Sequence, residues 1–223
     1  MLEELLPNTV AVVEVRGNDP SAYLLPEETP LLGRAVEKRR RELTAGRTCA
    51  RRALCKLGLP ATPILRGDKR EPIWPPGVVG SITHCHEYCA AAVALASDIL
   101  TVGIDAEIHE ALPSGVLGRV CVDREQAWLA EAPPKIHWDR LFFSVKESVY
   151  KAWFPLTHRW LDFKDAEVTF APDHGTFRAQ LLVTPPTVAN QELAVFAGRF
   201  LVQDGLVLTA IALPQVQPLA VDC

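Results

Sequence analysis

Two stretches decide how this chain is read, Val102-Gly103-Ile104-Asp105-Ala106-Glu107 and Phe143-Ser144-Val145-Lys146-Glu147-Ser148-Val149-Tyr150-Lys151. The first is an apolar run that stops at Asp105, the pattern of a short buried strand. Strand side chains alternate faces, so Asp105 and Glu107 leave one edge together. The second belongs to a helix, because Phe142, Val145, Val149, Ala152 and Trp153 recur at helical spacing. Glu147 and Lys151, four apart, share the other face. If that face meets the strand end, three carboxylates and a lysine converge. Such a set suits a hard divalent cation that takes oxygen ligands and leaves positions for phosphate, so Mg²⁺-assisted chemistry on a phosphate ester is the expectation. Lys146 falls on the apolar side of the same helix and must snorkel, pair with a carboxylate or face a pocket.

Outward from this pair, the most unusual composition lies between Arg34 and Lys56. Nine basic residues (Arg34, Lys38, Arg39, Arg40, Arg41, Arg47, Arg51, Arg52, Lys56) stand there against Glu37 and Glu42, a local +7 in a chain of net charge -4. A helical apolar stripe (Leu43, Ala50, Leu54, Leu57) runs beneath the charges, and Gly46 marks an expected break. A solvated helix face could carry this charge, but the imbalance asks for an anion. Lys69-Arg70-Glu71-Pro72 then lies in a Gly- and Pro-rich loop of the kind on which binding residues often sit.

Strands are expected at Thr9 to Val15, Val78 to His84, Tyr88 to Ala94 and Thr101 to Glu107. The last three should form a sheet backed by the basic helix. A short helix at Asp123 to Glu131, with Asp123 as N-cap, interrupts a loosely patterned stretch from Ile108 to Trp138. Strands follow at Ala166 to Phe170, Thr176 to Val183, Leu193 to Val202 and Leu206 to Leu213, with Gln203-Asp204-Gly205 a hairpin signal. Helix followed by strands thus occurs twice, without a residue-level repeat.

The 223 residues are 48% hydrophobic and 22% charged, the composition of a globular protein with one large domain or two of about 100 residues. The negative net charge argues against general nucleic-acid binding. The start lacks a basic n-region and a long apolar segment, and the longest apolar run, Cys89 to Ala96, cannot span a bilayer, so a cytoplasmic protein without membrane contact is expected. Six cysteines in such a chain do not suggest a disulfide framework. His84, Cys85, His86 and Cys89 invite zinc, but no second ligand pair follows at a suitable spacing. Ser81 near His84 lacks an acidic orienter, and no hydrolase elbow is present, so a nucleophile must come from a second substrate.

These pieces together resemble the 4'-phosphopantetheinyl transferases of the Sfp type, and most closely the actinobacterial enzymes that serve fatty-acid, polyketide and siderophore synthases. The matching segments are the Arg-rich helix, Gly67-Asp68-Lys69-Arg70-Glu71-Pro72, Gly80-Ser81-Ile82-Thr83-His84-Cys85, and the two opening stretches, spanning about residues 34 to 165 in the family's order. The resemblance implies transfer of the phosphopantetheine arm of coenzyme A onto a serine of an acyl or peptidyl carrier protein, with release of adenosine 3',5'-bisphosphate. It implies Asp105, Glu107 and Glu147 as ligands of Mg²⁺, with Mn²⁺ as the alternative ion. Glu147, directly or through a metal-bound water, would be the base for the carrier serine, Lys151 the cation at the departing phosphate, and Asp105 part of the same catalytic set. Arg40, Arg47 and His84 would meet the 3'-phosphate, with Lys69, Arg70 and Ser81 beside the rest of coenzyme A. Motif alone does not choose among Arg39, Arg40 and Arg41, since one residue turns a helical side chain by about 100°. Ala106 stands where many relatives carry a larger apolar residue, on the side away from the metal.

The implied fold is α+β, two similar α/β halves about a pseudo-twofold axis, each with a small, mainly antiparallel sheet and packed helices. The halves would span residues 1–103 and 104–213, with coenzyme A between them and a flexible tail from 214 to 223. Two fused halves make a monomer sufficient. Carrier docking is assigned to the Ile108 to Trp138 stretch. The competing readings are a non-catalytic module that docks carrier domains or nucleic acid through the basic helix, and a hydrolase of phosphoanhydrides.

Overall fold

A computed structural model describes residues 1–215. Its first half runs β1 (Val10–Arg16), α1 (Glu37–Lys56), β2 (Leu65–Arg66), β3 (Pro72–Ile73), β4 (Val78–Cys85) and β5 (Tyr88–Leu95). After β6 (Ile99–Ile108) come α2 (Leu117–Val120), α3 (Asp123–Glu131) and α4 (Trp138–Thr157). The chain then continues through β7 (Ala166–Ala171), β8 (Thr176–Leu181), the short pair β9 (Thr187–Val188) and β10 (Gln191–Glu192), β11 (Val195–Gln203) and β12 (Leu206–Pro214).

The sheets are antiparallel, with strand orders β1-β5-β4 and β6-β12-β11-β8-β7. Each half therefore uses one scheme: a first strand, a long helix, and a closing hairpin whose last strand pairs with the first. This is the α+β, two-half architecture expected. The hairpin between β11 and β12 turns through Asp204 and Gly205, both at positive φ, as an Asp-Gly turn demands.

One expected pairing is corrected. β6 does not join β4 and β5 by a backbone ladder. β1 is the third strand of that sheet, and β6 pairs with β12, Asp105 opposite Thr209. β6 still runs beside β4, where side chains replace the ladder: the Ile104 amide donates to Ser81 Oγ (3.2 Å) and the Ala106 amide to Thr83 Oγ1 (3.1 Å). Two hydroxyls thus suture the halves. They also satisfy amides that burial would otherwise leave orphaned, at a cost of about 1–3 kcal/mol each.

Alternation on β6 divides its side chains between two cores. Val102, Ile104 and Ala106 pack with Val10, Val12 and Leu208 between the sheets. Gly103 and Asp105 face α4, whose Phe142, Val145, Val149 and Trp153 fill the core of the second half. Gly103 allows the closest approach: a Cβ there would overlap the Ser148 carbonyl and stand 2.9 Å from the Ala152 amide.

The expected break at Gly46 does not occur. α1 continues through it for 20 residues. A Cβ at Gly46 would stand 3.1 Å from Ile82 Cγ2, so the glycine lets the helix close on β4, and that packing outweighs a propensity cost of about 1 kcal/mol. Asp123 is the first residue of α3 rather than its cap; Glu125 reaches back to the Val122 amide instead (2.8 Å). Pro214 ends β12 and the Gln215 amide bonds Asp98 (2.9 Å), while the rest of the expected tail, 216–223, lies outside the described residues.

Candidate active site

Asp105 is the centre of the site. It is 4% exposed, and its Oδ1 accepts from Lys151 Nζ (2.7 Å) and Thr83 Oγ1 (3.3 Å). Lys151 also donates to the Ile104 carbonyl (3.0 Å), so the α4 lysine is fastened to the strand that carries its partner. Asp105 Oδ2 is buried with no partner at all. An uncompensated carboxylate oxygen beside two further acids is a position for a cation.

The neighbouring acids respond to this crowding. Burial, then the charge of Asp105, raises the Glu107 carboxyl to about 7, against the pull of Arg140, whose guanidinium donates to Glu107 Oε2 (2.9 Å). Burial and Asp105 likewise raise Glu147, with Lys151 opposing. Glu107 and Glu147 thus crowd Asp105 electrostatically, although among the described residues no three His, Cys, Asp or Glu side chains close on one metal position. A divalent ion would relieve like-charge repulsion at all three, and the donor set is the all-oxygen one that Mg²⁺ takes.

A cavity of 440 Å³ opens beside Glu147 and Lys151. Lys69, Arg70 and Ser81 line it too, together with Trp74, Tyr150 and Phe154. Five of the residues singled out from sequence therefore meet in one place, drawn from the loop after β2, from β4 and from α4. The loop is shaped for this. Glu71 Oε2 accepts the Lys69 amide (2.9 Å), and Arg70 adopts φ 72° at the turn. Ser81 Oγ accepts from the Ile104 amide (3.2 Å), a structural bond between the halves.

The basic helix divides into charges with partners and charges without. Arg51 pairs with Glu28, Arg52 with Asp19 (2.6 Å), and Lys56 donates to the Val12 carbonyl (2.7 Å). The local +7 is thus partly answered by Glu28 and Asp19, acids outside the counted window. Arg41 pairs loosely with Glu37 (3.9 Å), and Arg39, which pairs with Glu42 (3.3 Å), also meets His84. Arg39 Nη1 lies 2.8 Å from His84 Nε2. Arg47 is buried with its Nε unpartnered, and after burial and Glu28 the groups that act on it are Arg39, Arg66 and Arg51. Burial lowers His84, with Arg39 and Lys151 adding to the effect against Glu42. Arg39, Arg47 and Arg66 therefore form a cationic cluster, with His84 hydrogen-bonded to Arg39, that an anion would stabilise. Arg39 is the member of the Arg39-Arg40-Arg41 run that meets His84. Arg40 lines a separate cavity of 760 Å³, which His84 also borders.

Sequence reasoning passed over Thr83, Arg66 and Arg140. Thr83 shares the strand face of Ser81, a signal that alternation carries. Arg66 directly precedes the Gly67 loop. Arg140 carries no signal, because it reaches Glu107 across 33 positions. The potential zinc ligands are otherwise employed. Burial pushes the Cys85 thiol up to about 12, and Cys89 packs into the core beneath α1. The five described cysteines are free. The loosely patterned Ile108 to Trp138 stretch holds α2 as well as the expected α3, and its Leu112, Val116, Trp128 and Ile136 pack on the second core.

Comparison with known families gives one answer for both halves. A model of the 4'-phosphopantetheinyl transferase N-terminal domain matches residues 27–94, and one of the 4'-phosphopantetheinyl transferase superfamily matches residues 101–202. The chain is 46% identical to the 4'-phosphopantetheinyl transferase PptT of Mycobacterium tuberculosis, over 96% of this chain and 98% of that protein. It is 52% identical to Svp of Streptomyces mobaraensis, over 87% and 80% respectively. With Npt of Nocardia iowensis it shares 45% identity over 95% and 99%. Both relatives carry the same transferase name.

Proposed function

This chain belongs to the 4'-phosphopantetheinyl transferase superfamily, and from that premise we propose how its residues divide the reaction. It transfers 4'-phosphopantetheine from coenzyme A to a serine of an apo acyl or peptidyl carrier protein and releases adenosine 3',5'-bisphosphate. The observation that carries the assignment is the meeting of Lys69, Arg70, Ser81, Glu147 and Lys151 in one cavity next to Asp105.

The 3'-phosphate is received by Arg39, Arg47 and Arg66, whose mutual repulsion a dianion removes, and by His84 beside Arg39. The diphosphate lies by Lys69, Arg70 and Lys151, and the pantetheine arm against Trp74, Tyr150 and Phe154. Asp105, Glu107 and Glu147 would hold Mg²⁺, or Mn²⁺ in its place, which when bound supplies charge neutralisation at the diphosphate. Glu147 accepts the proton of the carrier serine hydroxyl. Its raised carboxyl suits a base that works near neutrality. The serine oxygen forms a bond to the phosphorus that bears pantetheine, the bond from that phosphorus to the bridging oxygen breaks, and Lys151 neutralises the charge that develops on the departing bisphosphate.

The first half binds the nucleotide and the second carries the chemistry; the boundary expected between Gly103 and Ile104 falls inside β6, whose whole length pairs with β12, so it is drawn back to the turn before Ile99. The protein acts in the cytoplasm as a monomer and needs neither membrane nor nucleic acid. No helix among the described residues is long and apolar enough to cross a membrane. The test is to incubate the protein with coenzyme A, Mg²⁺ and a broad panel of apo-carrier proteins, and to weigh the carriers. Gain of one phosphopantetheine on a serine is expected. No gain on any carrier would sink the assignment.

A further inference from the structure

We propose that Glu125 is a positioning residue for the catalytic helix: its buried ion pair with Lys146 sets the rotation of α4 that presents Glu147 and Lys151 to Asp105. The inference rests on the transferase reading above. Neither Glu125 nor Lys146 lines the cavity that holds Glu147 and Lys151, so the pair acts from behind the site.

Lys146 is 3% exposed and directly precedes Glu147. Its Nζ donates to Glu125 Oε2 (2.7 Å) and to the Val120 carbonyl (2.8 Å). The same carboxylate accepts the Val122 amide (2.8 Å) and the Val168 amide (2.6 Å). One side chain thereby joins α3, α4 and the start of the second half's outer hairpin. On its other face α4 is held along a line against β6 and β12, by Gly103, by Thr101 Oγ1 to the Ala152 carbonyl (2.8 Å) and by Ser148 with Thr209 (2.7 Å). A helix held along one line can still roll about it. Lys146 is a buried ionic anchor off that line, next in sequence to Glu147, while the first turn of α4 is tied separately by Asp139 to the Leu112 amide (2.7 Å) and by Arg140 to Glu107 (2.9 Å).

Apolar burial is non-directional, whereas a charged, hydrogen-bonded pair fixes direction. Rotation matters here. With the Glu147 carboxylate roughly 6 Å from the helix axis, a turn of about 10° moves it by roughly 1 Å. A displacement of about 1 Å at a catalytic group can lower a rate about 100-fold.

The first half contains the same clamp. Glu28 accepts the Leu25 amide (2.9 Å), three residues before it, as Glu125 accepts that of Val122. It accepts a distant amide, Ile64 (2.9 Å), where Glu125 has Val168. It pairs with Arg51 of α1, which also donates to the Tyr23 carbonyl, five residues before the glutamate, as Val120 is before Glu125. Two halves with different chemistry keep one arrangement for seating a long helix.

The experiment compares wild type, Glu125→Gln, Lys146→Met and the double variant, using a carrier that the wild type modifies. Removing one partner leaves a buried charge and lowers the melting temperature, and removing both restores it. Recovery of stability without recovery of rate is the expected result: the double variant melts within a few degrees of wild type, kcat stays about 10- to 100-fold down, and coenzyme A affinity without metal stays within about twofold. A double variant that regains kcat with its stability, or one that loses coenzyme A affinity at unchanged kcat, overturns the inference. If the double variant does not fold, Lys146→Arg is the deciding arm. It keeps the pair and is expected to stay within about fivefold of wild-type kcat while Glu125→Gln falls about tenfold; equal rates in these two refute the role. A wild-type protein that transfers nothing removes the functional reading together with this inference, whereas an active wild type with an unimpaired double variant removes the inference alone.

Discussion

The two halves seat their long helices in the same way and do different things with them. Five residues beyond the clamp cation, Lys56 of α1 donates to the Val12 carbonyl of β1, and Lys151 of α4 donates to the Ile104 carbonyl of β6. Counting from these matched bonds places Val13 opposite Asp105, Val15 opposite Glu107, Ala11 opposite Gly103 and Arg52 opposite Glu147. The first half thus has the frame of the metal site with every acid replaced. Val13 and Val15 pack in the core beneath α1, and the helix spends its charge on Arg39 and Arg47. One frame, filled with opposite charge, becomes a nucleotide holder in one half and a reaction centre in the other.

The largest test of that difference is Asp105→Ala, which makes the second half resemble the first. Transfer should fall by about 10³-fold or more, with coenzyme A binding changed only a few-fold, because the loss is confined to the transition state. Arg47→Ala should show the reverse, KM for coenzyme A rising about tenfold or more with kcat nearly intact. Equal loss of coenzyme A binding in both variants would contradict the division of labour.

The next effect is on stability. Gly103→Ala should destabilise by about 3 kcal/mol or more, since a Cβ there overlaps the Ser148 carbonyl and the helix cannot retreat without losing the Thr101 and Thr209 bonds. At the matched position of the first half an alanine is already present. Ala11→Gly should cost about 1 kcal/mol or less, the entropy of a strand glycine. Chemical denaturation of both variants measures the contrast, and similar losses would remove the matched register.

Asp105, Glu107, Glu147 and Lys151 were legible in sequence because each depends only on the local period of its own strand or helix. The pairing of β6 was not. Sequence order suggested its neighbours β4 and β5, whereas the partner β12, with Thr209 opposite Asp105, lies far along the chain and is selected by the closing hairpin. The break assigned to Gly46 failed because propensity is a weak prior against packing, and the glycine is there for Ile82. The count of basic residues overstated the phosphate site for a related reason. The acids that answer Arg51 and Arg52 lie in the loop before the helix, joined to it only by folding. The clamp residues Glu28 and Glu125 each sit more than 20 positions from their cation, so no periodicity reveals them.

The first-half clamp gives the counterpart of the Glu125 experiment. Glu28 holds the Ile64 amide, and the following residues bring the Leu65 carbonyl to Arg47 (3.4 Å) and Arg66 to the cationic cluster. Glu28→Gln with Arg51→Met should therefore raise KM for coenzyme A about 5- to 30-fold and leave kcat within about threefold. A loss in kcat instead would mean that the two clamps do not serve separate functions.

The smallest effect tests the charge crowding that the first half lacks. Glu107 in the fold has its carboxyl raised to about 7 from the ordinary glutamate value of 4.5. The folded protein therefore binds more protons than the unfolded chain between these values, and stability falls as pH rises through them. Below about pH 4.5 both states are protonated and the penalty is absent. Above about pH 7 it is fully present, on the order of 1–3 kcal/mol after allowing for partial exposure. Glu107→Gln removes it, so in metal-free buffer the variant should melt above wild type at pH 8 and level with it near pH 5. At the matched position Val15 has nothing to titrate, and Val15→Thr should shift stability equally at both pH values. If Mg²⁺ occupies the acids, adding it at pH 8 should raise the wild type toward the variant and leave the variant less affected, a difference that calorimetry at two pH values can read. A Glu107→Gln difference that is the same at pH 5 and pH 8 would show that the crowding around Asp105 is relieved by Arg140 alone.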